Sequence, residues 1–305
     1  MLDSLIIGGG PAGLTAGIYL MRAGLSCALY EKQFCGGQAA TTNWIENYPG
    51  FPDGIGGPEL SMAMAEQTQK LGLEIRYDEI TELHLTDTER YAIAGGKRID
   101  ARTVVLCMGA TPRPLGLADE ERLRGRGVSY CATCDGAFFR GKEVCVVGGG
   151  DTAMEDALYL ARFASKVTII HRRDSFRAAQ ALVRRVQQTP NVKILYHTVV
   201  KALRGEGQLE EIVVQNTLSG AESAFRTQGL FVAVGTVPQT ELLAGQLALQ
   251  EGYVIAGEDT RTSVRGVYAA GDIRTKPLRQ VICAASDGAV AAVMVQADLN
   301  SIEIG

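Results

Sequence analysis

The chain has 305 residues, 46% hydrophobic and 21% charged, with a formal net charge of −4. This is a globular composition with room for two domains, and it excludes a disordered or low-complexity chain. The acidic balance gives no cationic field for nucleic acid and no apolar stretch reads as long enough to span a bilayer, so neither nucleic acid nor membrane is an expected partner.

Leu2 to Ile7 is predicted as a buried strand that runs, without a cationic lead-in, into the turn Gly8-Gly9-Gly10-Pro11-Ala12-Gly13. Pro11 to Ala23 follows as a helix stopped by Gly24, and Ser26 to Tyr30 as a second strand ending at Glu31. The spacing is that of a dinucleotide site. Gly8 permits the tight turn, Gly10 lets backbone N–H groups approach a pyrophosphate, and Gly13 allows close helix packing. Glu31 is placed to accept ribose hydroxyls and would repel a 2′-phosphate, which suits FAD or NAD. Residues 32–57 are Gly-, Pro-, Asn- and Thr-rich without a period, the composition of a long irregular loop. A helix is expected from Pro58 to Leu71, a small antiparallel insertion from Leu73 to Ile99, and an apolar strand from Thr103 to Cys107.

Thr111-Pro112-Arg113-Pro114 is expected to be a linker, since two prolines in four residues break an element. Beyond it the opening pattern repeats: a strand at Glu143 to Val147, the turn Gly148-Gly149-Gly150-Asp151-Thr152-Ala153, a helix to Phe163 and a strand at Lys166 to Ile170. That strand ends in His171-Arg172-Arg173, followed by Arg177, cations placed to pair with a 2′-phosphate, so this site is predicted to take NADPH. A helix at Ala178 to Gln188, further β runs and the crossing Gly235-Thr236-Val237-Pro238 lead back to Gly266 to Asp272 and an Ala-rich closing helix from Gln280 to Leu299. The expected fold is α/β, with two Rossmann-like three-layer domains: residues 114–238 inserted between 1–113 and 239–305.

Between the two turns stands Cys131-Ala132-Thr133-Cys134-Asp135-Gly136. A Cys-x-x-Cys opening a helix favours thiolate, the nucleophile of disulfide exchange, and Asp135 is the candidate acid/base if burial raises its pKa. A zinc site would need a second Cys/His pair at ligand spacing, and the sequence offers none nearby, so no metal is expected. Seven cysteines, scattered apart from this pair, suit a reducing compartment, by default the cytoplasm. Of the others, Cys27, Cys107, Cys145 and Cys283 are expected as buried small hydrophobes, and Cys35 as the one loop thiol open to reaction. Trp44 is expected to pack its loop and Phe138 and Phe139 to lie in the core, with partner docking as the other reading of that aromatic pair.

These motifs resemble the low-molecular-weight, bacterial-type thioredoxin reductases over nearly the whole chain, through Gly8 to Gly13, Gly36-Gly37-Gln38, Glu46 to Gly50, Cys131 to Gly136, His171 to Arg173 with Arg177, and Ala270-Gly271-Asp272 with Arg279-Gln280. The resemblance implies an NADPH-dependent flavoprotein that reduces thioredoxin, with FAD in the first site. It places Gln38 and Asn47 near the flavin, Asp272 at the ribityl or pyrophosphate region, and Arg279-Gln280 beside the isoalloxazine. It gives Cys134 as the sulfur meeting the flavin and Cys131 as the one attacking substrate, and it implies a homodimer and domains that rotate about the two crossings. Glutathione-reductase-type enzymes are similar, but their redox pair belongs in the loop that here holds only Cys35. Cys107-Met108-Gly109 departs from the usual Ala-Thr-Gly, and Cys35 directly precedes Gly36. Two other functions remain open on the same scaffold: a dithiol oxidase, which would not need the arginine set, and a flavin-bearing redox sensor, which would not need an acid beside the dithiol.

Overall fold

The computed structural model describes residues 1–42 and 44–303. The chain forms two compact units, Met1–Thr111 with Val237–Gly305, and Pro112–Thr236.

The first unit is built on a seven-stranded sheet. Leu2–Ile7 lies between Cys27–Glu31 and Lys97–Leu106, all parallel, with Ile6 in register with Leu29 and Val105. These strands are apolar on both faces, as a sheet covered on both sides requires. Ile6, Leu29 and Val105 pack under the helices Pro11–Arg22, Gly57–Lys70 and Val281–Glu303, while Leu5, Ala28, Val104 and Leu106 pack against the β-rich side that includes Leu243 and Val254. Lys97–Leu106 serves three pairings: its first half is antiparallel to Arg90–Ala94, its second parallel to Leu2–Ile7 and to Val267–Ala269.

The closing helix Val281–Glu303 has, by length and composition, what a membrane-crossing helix needs, unlike the reading of the sequence as free of such a stretch. Here it packs as a core helix: Ala284, Ala291, Ala292, Val295 and Leu299 share a cluster with Ala12, Ala16 and Leu20 of the opening helix. Gly288 makes the approach possible, since a Cβ there would stand 2.1 Å from the Ala12 carbonyl oxygen.

The second unit has a five-stranded parallel sheet in the order Val192–Leu195, Lys166–Ile170, Glu143–Gly148, Gly229–Ala233, Val128–Ser129. Helices Asp151–Leu160 and Gln180–Gln188 cover one face, and the antiparallel strands Thr198–Arg204, Glu211–Asn216 and Glu222–Arg226 contribute to the other. It is thus a second three-layer α/β unit, lying within the sequence of the first.

Several local expectations change. Glu74–Tyr77, expected in the antiparallel insertion, is instead the parallel edge strand beside Cys27–Glu31. The loop after Glu31 contains a 3-10 turn at Gly37–Thr41 and a bridge between Ile45 and Ile55. Ala110–Pro112 and Thr236–Pro238, expected to be irregular, pair as a two-stranded ribbon, flanked by bonds from the Arg113 amide to the Gly235 carbonyl and from the Gln239 amide to the Gly109 carbonyl, each at 3.0 Å.

Candidate active site

In the first unit the glycine turn gathers most of its expected partners. The Gly9 amide donates to Glu31 Oε2 at 2.8 Å, Gln33 N donates to Oε1 at 3.0 Å, and the Gly36 amide donates to the Gly9 carbonyl at 2.8 Å. A Cβ on Gly37 would lie 3.5 Å from Gly10 Cα, so the Gly37-Gln38 turn sits on the fingerprint. Asn47 Nδ2 donates to Gln280 Oε1 at 3.0 Å, joining the loop to the start of the closing helix. The Arg279 guanidinium lies 4.2 Å from the centre of the Tyr253 ring.

This arrangement fits a dinucleotide. A Cβ at Gly13 would stand 1.9 Å from the Gly8 carbonyl oxygen, whereas one at Gly10 would meet nothing within 4 Å, leaving room at the helix N-terminus where a pyrophosphate binds. Asp272 Oδ1 and Arg279 Nε are buried without a hydrogen-bond partner, polar atoms of the kind that ligand hydroxyls and carbonyls satisfy. Burial raises the Asp272 pKa, against the lowering effect of Lys276 and Arg279.

Sequence reasoning missed Asp287. It accepts from the Gly271 amide at 2.9 Å, from Arg274 at 2.7 and 2.8 Å and from Lys276 Nζ at 2.8 Å, so it fixes the turn that presents Asp272. Burial works against its charge, but the hydrogen bonds from Arg274 and Lys276 prevail and hold its pKa below the usual value. The one charged residue in the Ala- and Val-rich 281–295 run was the available signal.

Cys35 differs from expectation. Its thiol is half-buried, receives the Tyr77 hydroxyl at 3.7 Å, and has its pKa raised, chiefly by burial, which makes it a poor nucleophile.

In the second unit, a Cβ at Gly148 would lie 2.4 Å from the Ala233 carbonyl oxygen and 2.7 Å from Ala153 Cβ, while Gly150 again faces open space. The cation-bearing strand end is tied to this turn: Arg177 N donates to the Gly149 carbonyl at 2.8 Å. Asp151 Oδ1 receives the Ala179 amide at 2.7 Å, so the acid at the first position of its helix anchors the following loop, and Thr152 beside it is exposed. His171 stands apart from the arginines. It is buried, with Nδ1 3.0 Å from the Gly148 carbonyl and Nε2 2.9 Å from that of Ser175, a backbone support rather than a displayed cation. Arg172, Arg173 and Arg177 are exposed and make no ion pair among the described residues. The turn therefore offers unneutralised cations beside a helix N-terminus, which fits a phosphorylated dinucleotide.

Cys131 and Cys134 form a disulfide. The helix they open spans only Ala132–Asp135 before it tightens into the 3-10 turn Gly136–Phe139, so a helix dipole contributes less to thiolate stability than the sequence suggested. Asp135 lies directly behind. Burial raises its pKa, opposed by a hydrogen bond from Ser129 and the charge of Arg124. Ser129, another residue that sequence reasoning missed, donates to Asp135 Oδ2 at 2.6 Å and accepts the Cys131 amide at 3.1 Å. Glu120 receives the amides of Leu115, Gly116 and Leu117 and the Tyr130 hydroxyl, which steadies the approach to Cys131. The aromatic pair after the dithiol divides: Phe139 is buried edge-on to Phe231, and Phe138 is exposed.

The chain belongs to the pyridine nucleotide-disulphide oxidoreductase family, whose description matches residues 2–288. A flavin and a nicotinamide nucleotide are the cofactors this membership implies. It is 46% identical over 298 residues to the thioredoxin reductase of Bacillus subtilis (strain 168), covering 96% of this chain and 93% of that one. It is 42% identical over 294 residues to the bifunctional thioredoxin reductase/thioredoxin of Mycobacterium leprae (strain TN), covering 95% of this chain and 64% of that one. The crystal structure of thioredoxin reductase from Streptococcus pyogenes MGAS5005 superposes with a TM-score of 0.93 at 41% identity, covering 99% of both chains.

Proposed function

We propose that this protein is an NADPH-dependent reductase of the thioredoxin disulfide, with FAD bound by residues 1–113 and 239–305 and NADPH by residues 114–238. The observation that carries the reading is the Cys131–Cys134 disulfide backed by a partly buried carboxyl, in the same unit as a dinucleotide turn with free arginines. The relatives named above are thioredoxin reductases, and one is fused to a thioredoxin.

Gly8, Gly10, Ala12, Gly13, Glu31, Gly37, Gln38, Asn47, Gly271, Asp272, Arg279 and Gln280 hold FAD; the second turn from Gly148 to Ala153, with Arg172, Arg173 and Arg177, holds NADPH. Bound FAD would relay the two electrons of NADPH to the Cys131–Cys134 disulfide. Cys131 thiolate then attacks the substrate disulfide, breaking its S–S bond. Asp135 gives its proton to the leaving thiolate, and Cys134 attacks Cys131 Sγ, releasing the second substrate thiol and restoring the internal disulfide. The resemblance extends to a cytoplasmic homodimer.

The test is NADPH oxidation by the flavin-loaded protein with thioredoxin, with and without oxygen. Cys131→Ser and Cys134→Ser should each abolish thioredoxin reduction while NADPH still bleaches the flavin. Thioredoxin turnover in either variant would defeat the assignment, and turnover that requires oxygen would favour the oxidase.

A further inference from the structure

Three residues after Cys134 begins a surface pocket of about 270 Å3 lined by Ala137, Arg140, Tyr159, Arg162 and Phe163. Tyr159 and Phe163 meet edge-on at 5.3 Å, and the Arg140 guanidinium lies 5.9 Å from the centre of the Phe163 ring. Gly136 fixes this wall to the dithiol segment: a Cβ there would be 3.0 Å from Phe163 and 3.1 Å from both Tyr159 and Leu160. Arg140 and Arg162 are exposed and have no ion-pair partner among the described residues; Glu143, the nearest acid following in sequence, is taken by Lys166 at 2.9 Å. Phe138, 43% exposed, adds apolar surface in the same segment. The pocket is not part of the nucleotide turn. Arg162 lies at the other end of the helix that starts at Asp151, roughly 15 Å along its axis at 1.5 Å per residue.

Two unpaired guanidiniums beside aromatic rings suit a carboxylate whose apolar stem rests on those rings. A protein disulfide can reach Cys131 only if the surface around it covers the neighbouring segment. Resting on the reductase reading above, we infer that this pocket docks the protein substrate by taking an acidic side chain from the surface that flanks its disulfide. The contact orients the partner and sets its encounter rate, so it governs KM and salt sensitivity and leaves the chemical step alone.

The experiment compares the flavin-loaded full chain with its Arg140→Glu/Arg162→Glu and Arg140→Lys/Arg162→Lys variants, using thioredoxin disulfide as the probe. The Glu pair should raise KM about tenfold with kcat nearly unchanged and flatten the dependence of KM on NaCl, whereas the Lys pair should stay within about threefold of the parent, because charge at a docking rim acts mainly on encounter. Flavin bleaching by NADPH should be the same in all three, which also checks folding. An unchanged KM and salt slope in the Glu pair, or a loss confined to kcat, overturns the inference. Inhibition of the parent by inorganic phosphate that the Glu pair escapes, with equal KM for thioredoxin, would make the pocket a small-anion site and overturn it too. If the parent's flavin bleaches but thioredoxin is never reduced, the reductase reading itself falls.

Discussion

Ser129 Oγ donates to Asp135 Oδ2 at 2.6 Å while accepting the Cys131 amide at 3.1 Å, so a single hydroxyl links the candidate acid to the candidate nucleophile. Burial favours the neutral, proton-bearing form of Asp135, and the Ser129 hydrogen bond favours the charged form. Removing that bond in Ser129→Ala should therefore push the Asp135 pKa further up, and the alkaline limb of the kcat/KM profile for thioredoxin should move to higher pH. Asp135→Asn should lower thioredoxin reduction by about 10²-fold or more, the usual worth of a placed proton donor, without slowing flavin bleaching by NADPH. A profile unmoved in Ser129→Ala would show that Asp135 is not the group being titrated.

The three free arginines predict coenzyme choice. Each charge-assisted hydrogen bond to a 2′-phosphate is worth about 1.5–3 kcal/mol, so NADPH should be preferred over NADH by at least about 100-fold in kcat/KM. Arg172→Ala/Arg173→Ala should erase most of that preference while NADH turnover changes little. His171→Ala should behave differently: because its ring supports the Gly148 and Ser175 carbonyls, both coenzymes should lose affinity. Steady-state kinetics with the two coenzymes separates the cases, and equal use of both by the parent would count against the NADPH assignment.

The two glycine turns and their strand-end charges were legible because each needs particular residue types at fixed spacing. Periodicity also located the central strands, whose buried faces leave continuous apolar runs. What escaped was long-range. That Glu74–Tyr77 joins the main sheet depends on Cys27–Glu31 having a free edge, and no local pattern in 73–99 says so. Asp287 acts on Gly271 sixteen residues away, and Ser129, though only two and six residues from Cys131 and Asp135, reaches them through turn geometry that no periodicity encodes. Cys35 looked reactive because it lies in a loop, but that loop folds back onto Gly9 and half-buries the thiol.

Asp156, in the helix Asp151–Leu160, has its pKa pushed up to about 7 by burial and by the charge of Glu155. Between its unfolded value near 3.8 and about 7 the folded protein binds more protons than the unfolded chain, so stability should fall as pH rises through that window. Asp156→Asn keeps the shape and removes the buried charge. It should stabilise the second unit by on the order of 2 kcal/mol at pH 8 and have only a small effect near pH 4, where the folded carboxyl is still protonated and the unfolded one has only begun to ionise. Denaturant melts at the two pH values decide it, and a stabilisation that is equal at both would rule out the charge as its origin.

Asp287 predicts the opposite sign. Its folded pKa lies below 3.8, so its contribution is present above that value and is lost as pH falls through the folded pKa. Arg274 and Lys276 are themselves nearly inaccessible, and Asp287 is the carboxylate that neutralises both. Asp287→Asn should therefore cost about 3–5 kcal/mol at neutral pH, since it leaves two buried cations without their counter-charge, and progressively less as pH falls through the lowered folded pKa of the parent. The Gly271 turn should loosen with it, so FAD should dissociate more readily as well. Replacing the network as a whole, in Asp287→Leu/Arg274→Met/Lys276→Met, should recover much of the stability but not the flavin affinity, because the Gly271 amide still lacks its acceptor. Thermal melts paired with FAD titration distinguish the two effects. If the triple variant regained full FAD affinity, Asp287 would be only a counter-ion and would have no part in shaping the flavin turn.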